Sequence, residues 1–86
     1  SGIMILTLTL EVEEDALSVL EREEHRLRDA LLRQLIRHAN TGGFLGNYTA
    51  EDNLRRLSEG LLEAVQRATE VPIRAVLIQD IVRQVS

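Results

Sequence analysis

The sequence predicts a small α+β domain in the order β-α-α-β, and three observations predict it. Apolar residues alternate at period two near the start. They then recur at helical spacing through two central stretches. A β-branched run closes the chain.

The first strand is expected over residues 3–12. Met4, Leu6, Leu8, Leu10 and Val12 share one face, and Thr7, Thr9 and Glu11 the other, the alternation of a half-buried strand. Ile3 and Ile5 make its start apolar on both faces, so something should cover that end.

Glu13, Glu14 and Asp15 put negative charge where the positive end of a helix belongs, and a helix is predicted over 17–39. Leu20, Leu27, Leu31 and Leu35 form its stripe, which Leu32, Ile36 and Ala39 widen beyond what an ordinary surface helix needs. Arg22, Arg26, Asp29, Arg33 and Arg37 fill the opposite side. Asn40-Thr41-Gly42-Gly43 reads as a stop and turn.

Thr49, ahead of Glu51 and Asp52, is expected to cap a second helix over 50–69. Its stripe is Leu54, Leu57, Leu61, Leu62, Val65 and Ala68, with Glu51–Arg55, Asp52–Arg56 and Glu63–Arg67 pairs on the wet side. Gly60 beside the stripe suggests a close helix–helix approach. Val71-Pro72 ends this helix, and the β-branched tail over 73–84 favours a strand, although Ile73, Leu77 and Ile81 also fit helical spacing. The first strand spans about 33 Å at ~3.3 Å per residue. Each helix carries the chain back along it, so the last strand should run antiparallel to the first. The expected unit is a two-helix hairpin packed on a small antiparallel sheet, in one domain over 1–86, with Ser1-Gly2 a cloning remnant.

Composition removes several functions. Phe44 and Tyr48 are the whole aromatic content, so base-stacking platforms are nearly excluded. The net charge of −4 opposes a phosphate-backbone binder, and no nucleic-acid partner is expected. There is no cysteine for disulfides or thiolate metal sites. His25 and Asp29, one helical turn apart, are read as a surface pair. His38 lies on another side of the same helix, so the two histidines cannot share a metal; it is read as a packed, hydrogen-bonded histidine. The Gly42-Gly43-Phe44-Leu45-Gly46 loop looks like a phosphate loop, but it follows a helix and the chain holds no lysine. Neither an enzyme nor a cofactor is expected. Arg28 falls inside the apolar arc of the first helix. It is either a snorkelling arginine whose head reaches water or Glu24, or an interface arginine in a charge pair.

The order of motifs resembles the periplasmic domain of the flagellar basal-body-associated FliL family over residues 4–84. The residues that carry this are an apolar strand ending Leu10-Glu11-Val12, Leu27-Arg28-Asp29-Ala30-Leu31-Leu32, Leu54-Arg55-Arg56-Leu57, and the closing run from Val76 to Gln84. The resemblance implies a stomatin-like fold and a single N-terminal helix, outside this chain, anchoring the domain on the periplasmic side of the bacterial inner membrane. It also implies contact with flagellar stator and basal-body proteins, and assembly into rings. Arg28 and Asp29 match the family's Arg-Asp pair on the first helix, and Gln84 its closing glutamine. His25 stands where proline is expected, which marks a divergent, FliL-like form. The alternative is a small soluble dimeric adaptor or regulatory protein-binding domain.

Either way the expected mode is self-association, as a dimer or a ring. Two strands leave open edges. Ile3, Ile5, Leu77 and Ile81 are expected on the sheet face away from the helices, with nothing in the chain left to cover them. These four residues, Arg28, Asp29 and the loop aromatic Phe44 are the interface candidates.

Overall fold

In the computed structural model, which describes residues 2–85, two long strands enclose all the helices. The elements are β1 (Gly2–Val12), a 3-10 turn (Glu14–Ala16), α1 (Leu17–Arg22), α2 (Glu24–Asn40), α3 (Glu51–Ala68) and β2 (Ile73–Val85). The β1–β2 pairing is antiparallel and forms a two-stranded sheet, as the helix lengths required. Ser1, counted with Gly2 as a remnant, and Ser86 lie outside the described residues.

The helix expected over 17–39 is divided at Glu23. There the backbone leaves helical geometry (φ −101°, ψ 15°), and the Glu23 amide bonds to the carbonyls of Leu20 and Val19. The Glu23 carboxylate is held at this point by the Thr69 hydroxyl, 2.9 Å away, beyond the end of α3. The Thr69 oxygen also accepts from the Val71 amide at 3.1 Å, so the break and the α3–β2 turn are tied together.

α3 supplies the centre of the core. Leu57, Leu61 and Val65 are fully buried, one turn apart, against Val76 and Ile73 of β2 and Leu27 of α2. Gly60 allows α2 to come close: an added Cβ would stand 2.7 Å from the Gln34 amide nitrogen. Ser58 donates to the Val76 carbonyl and Gln66 to the Ile73 carbonyl (3.1 Å), so α3 is fastened along the first half of β2.

The register of β2 breaks twice. Arg74 and Gln79 have no partner on β1, because Val12 pairs with Ile73 while Glu11 pairs with Ala75, and Leu8 pairs with Ile78 while Thr7 pairs with Asp80. Each extra residue is a bulge that shifts the alternation by one. The helix-facing set therefore falls at the irregular spacing Ile73, Val76, Ile78 and Ile81, and Leu77, which the helical fit had placed with Ile73 and Ile81, lies on the outer face. Ile81, expected on the outer face, pairs with Leu6 on the helix side and is half-buried. Val82, opposite Ile5, takes the outer position in its place.

Candidate functional site

The loop between α2 and α3 is held by polar contacts from two elements. Asn53, buried in the first turn of α3, donates to the carbonyls of Gly43 (2.8 Å) and Tyr48 (2.7 Å). Arg83 of β2 donates to the Phe44 carbonyl and lies 4.7 Å from the centre of the Tyr48 ring. Thr49, expected as the cap of α3, bonds instead to the Asn47 side chain at 3.4 Å. Ala50 takes the cap position with no side-chain bond. Gly42 and Gly46 carry the positive φ angles, 83° and 60°, that the turn requires.

Phe44, an interface candidate, packs partly against the core with its ring edge-on to His38, the centroids 5.0 Å apart. Leu45 is an exposed apolar side chain of the loop, at 74% exposure. His38 is packed as expected, but among the described residues its buried Nε2 has no hydrogen-bond partner: the Phe44 edge and the Gly43 backbone occupy the space around it. The expected His25–Asp29 pair does not form. The Asp29 carboxylate engages Arg33 at 2.6 Å, on the wet side of α2. Of the three pairs expected on α3, Glu63–Arg67 alone appears among the described residues, at 4.0 Å, while Arg56 turns to the Asn53 oxygen. Between α2 and α3 a shallow polar cleft gathers Arg33, Arg37 and Arg67, two of them already paired with carboxylates.

The opposite side of α2 is different. Leu31, Leu32 and Leu35 face Leu6, Leu8 and Leu10 of β1 across an open groove of about 490 Å³, with Glu24 and Arg28 at its rim. Arg28 reaches Glu24 at 3.6 Å, the partner that the snorkelling reading named, but most of its side chain is in water and its stem is not buried along the arc. Leu32 is 55% exposed and Ile36, one turn on, 50%. The widened arc of the helix is thus left half uncovered. Among the described residues no strand pairs with the other side of β1. On the outer sheet face Ile3, Ile5, Leu77 and Val82 are all exposed, in agreement with the first three expectations. Gln84 is exposed there too, opposite Ile3.

Among the described residues no group of three His, Asp or Glu side chains is placed to hold a metal ion, and no helix is long and apolar enough to cross a membrane. Compared with family models, curated proteins and solved structures, the chain matches none.

Proposed function

We propose that this domain is a non-enzymatic protein-binding module that works by association along β1 and α2. The observation that carries the reading is the apolar surface left open there. The accessible surface is 6045 Å², whereas a folded chain of 9.7 kDa exposes about 5,100 Å². The excess of about 900 Å² matches what one partner contributes to an interface of ordinary size. The excess is total surface over the whole chain, and part of it is the open apolar groove rimmed by Glu24 and Arg28 together with exposed Leu32 and Ile36, the kind of patch that marks a docking surface.

The setting comes from the motif resemblance: a FliL-like periplasmic domain, stomatin-like in fold, anchored in the inner membrane and supporting the flagellar stator and basal body by oligomeric contacts. The Arg28-Asp29 pair that carries it lies exposed on α2, with Arg28 on the groove side, where it can meet a partner. The soluble dimeric adaptor would use the same surface without the anchor.

Deleting the gene in its source organism and complementing with the natural and the Ile36→Glu forms separates these settings. Loss of swimming that the natural gene restores and the variant does not is expected. Unchanged motility after deletion would discard the flagellar setting and leave the adaptor. About 20 apolar residues encoded upstream of Ile3 would agree with the anchored form.

A further inference from the structure

Resting on the reading of β1 and α2 as a docking surface, we infer that its occupant is the β1 edge of a second copy, paired antiparallel about a two-fold axis through Thr7. The product is a continuous four-stranded sheet, β2-β1-β1-β2.

The two edges of the sheet are built differently. Natural edges are blunted with charge, proline or bulges. β2 carries both bulges, three charged residues and the hydrogen bonds from α3. β1 has no proline, no basic residue and no bulge across eleven residues, and its one charge is Glu11 near the end. It is an undefended edge.

Geometry then selects the partner. In a strand without bulges, the amide and carbonyl groups on one edge belong to residues of one parity. Antiparallel partners across a two-fold axis therefore share parity, and helix-facing side chains meet helix-facing ones. The pairing that uses all of Gly2–Val12 is centred on Thr7. It sets Leu6 beside Leu8 and Met4 beside Leu10 on the helix side, with Thr7 beside Thr7 and Ile5 beside Thr9 outside. Glu11 falls opposite Ile3, so no like charges meet. Threonine–threonine and aliphatic pairs are favourable cross-strand neighbours. The α2 helix of each copy then flanks the seam, where Leu32 lines the groove beside β1. The contact closes at two copies because it is isologous.

Cysteine substitution reads the register directly, since the natural chain has no cysteine. In the two-fold pairing the Thr7 positions face each other at about 5 Å between Cα atoms, within disulfide reach, whereas the Thr9 positions stand more than ~10 Å apart. Under mild oxidation Thr7→Cys is expected to give a covalent dimer and Thr9→Cys a monomer, both folded by circular dichroism. Light scattering from micromolar to near-millimolar concentration is expected to show a dimer, weakened about tenfold or more by Leu32→Glu, the size of effect one well-placed interface side chain carries. A strictly monomeric mass with no Thr7 cross-link would overturn the inference, as would a dimer that links at Thr9 and not at Thr7. A motility defect on deletion together with a monomeric domain would reject the second copy while leaving the docking surface to another protein. A Thr7-linked dimer without a motility defect would support the second copy on the docking surface and discard the flagellar setting.

Discussion

β2 and β1 are paired along their whole length, yet the rest of the chain treats them differently. β2 is roofed by α3: Ile73 and Val76 are almost fully buried, and their carbonyls accept from Gln66 and Ser58. The helix-facing residues of β1 are only partly buried: Leu6, Leu8, Leu10 and Val12 pack on the edge of the core beside a groove that α2 borders without filling. One half of the sheet resembles the interior of a larger domain, and the other half a surface waiting for a second layer. For a chain of this size the lesson is that stability is concentrated. The α3–β2 half holds the fold together, which leaves the β1–α2 half free to be apolar and open.

The comparison breaks most directly at its centre. Leu61→Ala removes a fully buried side chain from the α3–β2 half and is expected to cost roughly 2–5 kcal/mol. Leu32→Ala, in the open half, is expected to stay within about 0.5 kcal/mol in the monomer. Urea unfolding at low concentration measures both. Similar losses at the two positions would mean that the halves are equally committed to the fold.

Next in size is the clasp on the α2–α3 loop. Asn53→Ala strands the carbonyls of Gly43 and Tyr48 and is expected to cost about 1–3 kcal/mol. Amide exchange should then quicken over Gly43–Tyr48 while the β1–β2 ladder stays protected. Uniform acceleration would show the loop to be part of the same cooperative unit.

Smaller again is the fastening of β2. Ser58→Ala frees the Val76 carbonyl, for an expected loss of about 1 kcal/mol. It also uncovers part of the defended edge, so scattering is expected to show larger species than dimers as both edges become available. A variant that stays dimeric would mean that the bulges, and not α3, guard β2.

The element order and nearly all boundaries were legible in the sequence, because the apolar period switches cleanly from two to 3.6 and back. The faces of β2 were not. Two bulges move the inward set to Ile73, Val76, Ile78 and Ile81, and a bulge depends on the partner strand, which local periodicity cannot sense. The break at Glu23 was hidden for a similar reason: its tie to Thr69 spans 46 positions. Asn53 did leave a signal. It continues the Leu57, Leu61, Val65 row one turn earlier, and a lone amide on a buried row implies carbonyls to satisfy. Of the candidate site, the over-wide arc on α2 was legible as an excess of leucine and isoleucine. That its open part would border an undefended β1 edge required the fold.

The smallest expected effect concerns Arg28, where the two readings of the sequence still differ in consequence. Its pair with Glu24 at 3.6 Å is exposed on both sides, and such pairs contribute little to stability. Arg28→Met should therefore leave monomer unfolding unchanged within about 0.5 kcal/mol. Its effect on association is the informative part. Arg28 stands at the rim of the groove beside Leu31 and Leu32, and a rim charge chiefly sets salt dependence and register. The variant is expected to dimerise with similar affinity in high salt and to lose the salt sensitivity of the natural chain. Unchanged stability with unchanged salt dependence would reduce Arg28 to an ordinary exposed side chain. A large loss of dimer at every ionic strength would instead place its guanidinium inside the contact, paired with a carboxylate of the second copy.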